Sequence, residues 1–298
     1  EIPKRDWSSD VCSSDLTGII YKYLFLLIFF CSGWVASAFA QSSGSPATNY
    51  PAKPVRVYVG FAPGGATDIV ARMFAQKLSE SLGRSFVVEN RPGGGGIAAT
   101  TLVLKSPADG YAILAISGTY TITPAITKTL PYDSLKDFAQ ISMVNQSPFL
   151  VVVHPALPVK VMRDLVALAK AQPGKLDYGS AGQGSNVHLS VELLANMAGI
   201  KMTHVPYKGT GQALIDLMAG QVQLTIANIL SGLPYARSGR MRGLAVTGAR
   251  RVKAAPEIPT VSESGVPGYE VASWNGWLAH ARSEEHTSEL QSRFGISY

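Results

Sequence analysis

The sequence predicts an α/β fold in two lobes. Three observations carry that expectation. Strand-like and helix-like segments alternate from residue 55 onward, the globular stretch outruns one ordinary domain, and each half holds its own glycine-rich strand-to-helix turn. Strands separated by amphipathic helices imply βαβ units and parallel sheets, and single domains commonly span about 100–150 residues.

Val55, Val57 and Val59 alternate with Arg56 and Tyr58, the period-two pattern of a strand. Ile69, Val70, Met73, Phe74 and Leu78 follow at helical spacing, with Gly83 placed to stop the helix. Residues 86–88 read as a short strand, Ile97–Lys105 as a helix ending before Pro107, and 111–116 as a buried strand. After a Pro- and Thr-rich stretch, the β-branched run 150–153 between Pro148 and Pro155 opens a second series. Val161, Leu165 and Leu168 mark a helix ending at Gln172-Pro173-Gly174; Val187, Val191, Leu194 and Ala198 mark another, closed by Gly199. Residues 202–205, 222–227 and 244–246 read as strands and 213–219 as a helix. The first lobe is expected over 41–147, with a loose lead-in at 41–54, and the second over 148–247. Residues 248–282 are expected to return to the first.

The ends differ from this body. Residues 1–16 and 283–298 are rich in Ser and acidic residues, lack hydrophobic periodicity, and look like translated sequencing-adapter sequence. Between them and the body, 17–40 has the parts of an export signal: Lys22, the short apolar core 24–30 (LFLLIFF), and Ala38-Phe39-Ala40 as a small-x-small cleavage site. A membrane span needs roughly 20 apolar residues, so cleavage after Ala40 and release into the periplasm is the expectation. Cys12 and Cys31 both precede residue 41, which leaves no thiol downstream for disulfides, zinc or catalysis. The whole chain carries a formal +6; each suspected adapter end carries −2, so residues 17–282 carry +10, or +9 once Lys22 leaves with the signal. A basic balance favours anionic partners. No Lys/Arg run or aromatic-basic interleaving accompanies it, so no nucleic acid is expected as a partner.

Two turns stand out chemically. The first, Phe61-Ala62-Pro63-Gly64-Gly65-Ala66-Thr67-Asp68, follows a strand and opens a helix. The second, Ser180-Ala181-Gly182-Gln183-Gly184-Ser185-Asn186, lies between the strand-like segment 176–178 and a helix, and adds two hydroxyls. Glycine lets backbone approach a ligand closely, and open helix-start N–H groups with the helix dipole favour an anion. In open α/β sheets, ligands bind beyond the carboxyl ends of strands, where both turns lie. Either turn alone could be a tight connection with Thr67 or Asp68 as a cap; two equivalent turns point to a shared interlobe site. Asp68 would repel an anion, so it either caps N–H groups or holds an ammonium or a water. Lys208 reads as solvated, and His188 either faces the second turn or is a satisfied structural histidine.

Enzyme motifs are incomplete. Tyr178 stands where a G-x-S-x-G elbow needs its first glycine. The run Arg91-Pro92-Gly93-Gly94-Gly95-Gly96 lacks the G-K-[ST] of a phosphate loop. His154, His188 and His204 lack metal-ligand spacing. No catalysis, metal or cofactor is expected.

A series of ordered segments resembles the Bug family, the extracytoplasmic solute receptors of tripartite tricarboxylate transporters. They are 61–68 (FAPGGATD), 88–96 (VENRPGGGG), 132–138 (YDSLKDF), 178–185 (YGSAGQGS), 204–209 (HVPYKG), 243–248 (GLAVTG), 259–265 (PTVSESG) and 273–277 (SWNGW). The resemblance implies a two-lobed periplasmic-binding-protein (flytrap) architecture, type II-like. Here it looks C-terminally truncated, because the family continues past the Trp-rich segment. It also implies that the two turns grip a ligand carboxylate, through Gly64, Gly65, Thr67, Asp68, Ser180, Ala181, Gly182 and Ser185. Phe61, Ala62, Pro63 and Gly184 belong to the same turns; His188, Tyr207 with Gly209, and Asn228 match the remaining pocket wall. The implied function is capture of a small organic carboxylate by a monomer that docks on integral membrane transporter subunits. An amino acid or aromatic acid as ligand, or a ligand-presenting role towards a sensor, are the alternatives.

Overall fold

The computed structural model describes residues 50–283 and Gln291; the expected leader, its cleavage site and nearly all of both end segments lie outside the described residues. The chain forms β1 (Val55–Val59), α1 (Ala66–Leu82), β2 (Phe86–Asn90), α2 (Ile97–Lys105), β3 (Ala112–Ser117), α3 (Thr119–Ile126) and the long β4 (Phe138–Val153). There follow α4 (Met162–Ala171), β5 (Asp177–Ser180), α5 (Asn186–Ala198), β6 (Thr203–Pro206), α6 (Thr210–Met218), β7 (Leu224–Asn228), α7 (Ile229–Arg237), β8 (Arg242–Val246) and β9 (Ala272–His280). No helix among the described residues is long and apolar enough to cross a membrane.

The strand order is β2-β1-β3-β9-β4-β7-β5-β6, with β8 also on β4. The β1, β2 and β3 pairings are parallel, as are those of β5 with β6 and β7. By contrast, β9 runs antiparallel between β3 and β4, and β7 and β8 pair antiparallel with β4, so the sheets are mixed rather than parallel. Strand β4 belongs to both halves. Its residues from Phe138 to Pro148 pair with β9, and from Phe149 onward it pairs with β7 and β8.

Alternation along each strand feeds a core on either face. In the first lobe Val55, Val57, Val59, Ile113 and Ala115 pack with Ala71, Ala75 and Leu78 of α1. Tyr58, Leu114 and Ile116 face the other way, onto Ala99 and Val103 of α2. In the second lobe Val151, Val153, Tyr178, Leu224 and Ile226 meet α4 and α5, while Leu150, Val152 and Ala227 meet α6 and α7. Helix α1 stops at Gly83 because that residue takes a left-handed φ of 63° and returns its N–H to Ser79.

Several elements differ from the sequence expectation. The α3 and α7 helices each contain a proline, Pro124 and Pro234, and escape a helical reading. The first part of β4 loses its alternation because the ladder shifts register between Gln140 and Ser142 and again between Met143 and Asn145. The return to the first lobe comes later than residue 248. Val261, Val266 and Tyr269 are buried in the second lobe's core, Val261 N–H bonds Val246 O, and the Tyr269 hydroxyl donates to Ser190 O at 2.9 Å. Among the described residues the chain crosses back at β9, because Val261, Val266 and Tyr269 before it pack in the core formed with α4 and α5.

Leu165 is fully buried on α4, packed in the core of the second lobe. Leu165→Ala is expected to lower unfolding stability by about 2–5 kcal/mol, measured by urea denaturation, with ligand affinity unchanged in the folded fraction.

Candidate functional site

The first turn is built around a carboxylate that is fully engaged. Gly64 has φ 84°, and Gly65, the N-cap of α1, has no side chain to offer the helix start. Asp68, 4% exposed, accepts Gly64 N–H at 3.0 Å, Asn90 Nδ2 at 2.9 Å and Arg72 Nε at 3.1 Å. Asn90 also donates to Phe61 O at 3.0 Å, and Arg72 Nη2 reaches Asn90 Oδ1 at 3.0 Å. Burial pushes the Asp68 carboxyl up, but the bonds from Arg72, Gly64 and Asn90 and the Arg72 charge outweigh it and hold the group below the usual range. Asp68 is therefore a brace rather than an ammonium site. Thr67 Oγ1 donates to Asn275 Oδ1 at 3.0 Å, tying the helix start to β9.

The second turn is closed by its own side chains. Ser180 Oγ accepts Gly182 N–H at 3.0 Å and lies 2.6 Å from His204 Nε2. His188 Nδ1 accepts Gly184 N–H at 3.1 Å, and Ser185 Oγ caps His188 N–H at 3.2 Å. The α5 start is occupied further: Asn186 N–H meets Thr119 Oγ1 at 3.2 Å and Val187 N–H meets Asn186 Oδ1 at 2.9 Å. Behind it His188 and His204 stack at 4.0 Å, with Tyr178 at 5.0 Å from His204 and its hydroxyl on Glu192. Burial, then the neighbouring His188, lowers His204 to about 4, against the opposing pull of Glu192. Burial lowers His188 as well, again opposed by Glu192. The Tyr207 hydroxyl is pushed up to about 12 by burial and by its 2.8 Å bond to Asp216.

The lobes meet across these turns. Ala62 N–H donates to Lys208 O at 2.8 Å. Gly211 lies so close to the first turn that a Cβ there would stand 2.2 Å from Pro63 O, and a Cβ on Gly184 would stand 2.0 Å from Ile126 Cδ1. Between them runs a cleft of about 30 Å³, enough for about two waters. Phe61, Gly65, Ala66, Thr67, Asp68, Ser117 and Ser273 line it from the first lobe; Phe149, Ala181, Asn186, Val187, Thr210 and Asn228 line it from the second. The α1 start opens into it uncapped. So does the α6 start, where Gly209 has no side chain and Thr210 is in the wall. No Lys, Arg or His is among the lining residues.

Of the residues singled out in the sequence, Phe61, Gly65, Thr67, Asp68, Ala181 and Asn228 line the cleft. Ala62, Pro63, Gly64, Ser180, Gly182, Gly184, Ser185, His188, Tyr207 and Gly209 shape the turns around it instead. Asn228 is itself braced, its Nδ2 on Ser147 Oγ at 2.9 Å and its Oδ1 on Leu230 N–H at 3.0 Å. Ala66, Ser117, Phe149, Asn186, Val187, Thr210 and Ser273 were not picked out as site residues. Ser117 had a usable signal, since it ends a strand on the ligand side of the sheet. Ser273 had none beyond lying in a resembling segment.

Two joined α/β lobes with a polar cleft between them define a solute-binding receptor of the periplasmic-binding-protein type. Residues 70–291 match the model described as the tripartite tricarboxylate transporter family receptor, TctC. The chain belongs to that family. It is 37% identical to protein BugT of Bordetella pertussis over 235 residues, covering 78% of this chain and 72% of BugT. Among solved structures, a protein of R. palustris with adipate is 40% identical, with a TM-score of 0.79 and 82% of each chain covered. The periplasmic binding protein BugD is 33% identical, with a TM-score of 0.78 and 82% of each chain covered. MatC of Rhodopseudomonas palustris with bound malate is 30% identical at a TM-score of 0.73, covering 81% of this chain and 85% of that one.

The depressed His204 has a stability consequence. The unfolded chain takes up its proton near 6.5 and the folded chain only near 4, so His204 leaves stability intact above 6.5 and erodes it as pH falls towards 4. The thermal midpoint is expected to drop across that window, and His204→Gln to flatten the drop.

Proposed function

We propose that the protein is an exported receptor that captures a small organic carboxylate between its lobes and delivers it to integral membrane subunits of a tripartite tricarboxylate-type transporter. The observation that carries this reading is the α1 start. Its N–H groups, uncapped by Gly65, open into an interlobe cleft whose only charged lining residue, Asp68, is already engaged. A helix N-terminus in that setting favours an anion through its N–H groups and dipole. The relatives solved with adipate and with malate support the same ligand class.

Gly65, Ala66, Thr67 and Asp68 offer backbone N–H groups to the ligand carboxylate, and Ala181, Asn186, Thr210 and Asn228 close over it from the second lobe. The lobes divide at 147/148, one residue before β4 passes from one sheet to the other between Pro148 and Phe149. No covalent step is involved, and the receptor works as a monomer. Family membership and the leader at 17–40 support a periplasmic location after cleavage at Ala40. The engagement of Asp68 by Arg72 and Asn90 speaks against an amino-acid ligand whose ammonium that carboxylate would hold.

Gly65→Asp tests the site. Its backbone, φ −83° and ψ 168°, suits any residue, and a Cβ there meets its nearest neighbour, Gly211 N, at 3.7 Å. Aspartate is also a favoured N-cap, so the variant is expected to fold with wild-type stability or better. Its carboxylate would take the N–H groups that the ligand needs. Calorimetry with succinate, malate and adipate is expected to show binding to the wild type and none to the variant; undiminished affinity in the variant would remove α1 from the site.

A further inference from the structure

The second turn is locked by an atom that can act only without a proton. Gly184 N–H donates to His188 Nδ1 at 3.1 Å. A ring nitrogen that accepts carries no hydrogen, so His188 holds its proton on Nε2. A second proton, on Nδ1, would set two N–H groups against each other. The bond would break, and the ring or the Gly184 peptide would have to turn away.

The surroundings of His188 decide how hard that proton is to add. His188 is the third residue of α5 and 9% exposed, so it sits at the positive end of the helix dipole with little water. Tyr178 of β5 and His204 of β6 stack with it, their ring centroids 6.3 Å and 4.0 Å away. Glu192 follows one turn along α5, and its carboxylate accepts the Tyr178 hydroxyl. Burial holds His188 below its ordinary 6.5, while Glu192 pulls it back up. His204 tolerates a proton better. Its Nε2 faces Ser180 Oγ, which can donate to the ring, or accept from it and donate to Gly182 O at 3.1 Å. Of the two rings, His188 is the one that loses its contact on protonation.

What His188 locks bears on the cleft. Gly184 lies against Ile126 of the first lobe, and Ala181, Asn186 and Val187, close to it in the chain, are cleft wall. We propose that His188 is a positioning residue whose protonation releases the second turn, so that ligand capture is coupled to the loss of a proton and the receptor gives up its ligand in acid. The inference rests on the capture reading above and deepens it with a mode of regulation. A released turn returns His188 to solvent and to an ordinary affinity for protons. Capture is therefore at full strength above 6.5 and weakens as pH falls below it, because only the unprotonated fraction binds.

Calorimetry with succinate, malate and adipate from about pH 7.5 to about pH 5 tests it, on the wild type, His188→Asn, His188→Leu and His204→Gln. Asparagine places Oδ1 where Nδ1 stands and takes up no proton; leucine offers no acceptor. Over that range wild-type affinity is expected to fall about fivefold more than that of His188→Asn, a comparison that cancels the ligand's own titration. Titrations in two buffers of different ionisation heat should show the wild type releasing more protons on binding than His188→Asn. Leucine should weaken binding about tenfold at neutral pH, and asparagine should recover most of that loss, which a ring needed only for packing would not allow. If the leucine variant fails to fold, the comparison with asparagine decides alone. Equal pH profiles in the wild type and His188→Asn overturn the proposal. So does a profile abolished by His204→Gln and kept by His188→Asn, which puts the proton on His204. If the wild type binds none of the acids at neutral pH, the capture reading fails and this inference with it. If it binds them with a profile that His188→Asn leaves unchanged, the His188 assignment alone falls.

Discussion

The contact between the Asp68 carboxylate and the Arg72 guanidinium, with Asn90 and Gly64 completing it, is what allows the first turn to exist in its present form. A helix N-terminus presents only about half a positive charge. An unengaged carboxylate in its first turn would cancel that. With its oxygens taken by three donors from α1, β2 and the turn itself, Asp68 fixes the loop and adds little net charge beside the cleft. Arg72 is half exposed, so the ion pair contributes little to global stability. Its consequence is geometric: Gly64 is held in its left-handed conformation, and the N–H groups after Gly65 point into the cleft without a competing cap.

From that turn the interlobe geometry follows. Strand β4 runs through both sheets and changes partner between Pro148 and Phe149, and the chain comes back to the first sheet in β9, whose pairing begins at Ala272. Across the cleft the polar contacts are few: Ala62 with Lys208, Thr119 with Asn186, and Asn228 with Ser147. The remaining closeness is steric, glycine against backbone at Gly211 and Gly209 and against Ile126 at Gly184. Few hydrogen bonds would have to break for the lobes to part, while the glycines let them meet closely enough to leave room for about two waters. A bound ligand would supply the polar contacts that the lobes themselves lack, which is the thermodynamic condition for a ligand to favour one arrangement.

Much of this was legible in the sequence. Val55, Val57 and Val59 announced β1, Gly83 the end of α1, and the glycines at 64 and 65 the open helix start. The parts that were not legible share a cause: they depend on which side chains reach a group from far along the chain. The second turn reads as an equal of the first, yet Ser185, Asn186 and Thr119 occupy the α5 start, and Thr119 comes from the other lobe. The open helix start on that side is α6, whose Gly209 and Thr210 sit beside a lysine that drew attention as the nearest charge. Ser117 and Ser273 reach the cleft on different strands, and no spacing rule connects them. His204 looked like a lone histidine, because the stack with His188 and Tyr178 forms only when β5, β6 and α5 pack.

The two turns therefore divide their labour by the fate of their N–H groups. In the second, imidazole, hydroxyl and amide side chains bind those groups internally, at the cost of holding a buried and a half-buried histidine, His188 and His204, whose protonated forms are disfavoured. That turn forms a stiff wall that presents the Ala181 backbone and the Asn186 side chain. In the first, Asp68 stiffens the loop through Gly64, Asn90 and Arg72, and Gly65 leaves the α1 start without a side-chain cap. A cleft so made has its one carboxylate paired and leaves the α1 start without a side-chain cap. The chain's excess of Lys and Arg lies outside the lining, where its field can draw anions from a distance. Selection among those anions then falls to short-range hydrogen bonding in the cleft, where the geometry of neutral donors discriminates more sharply than charge.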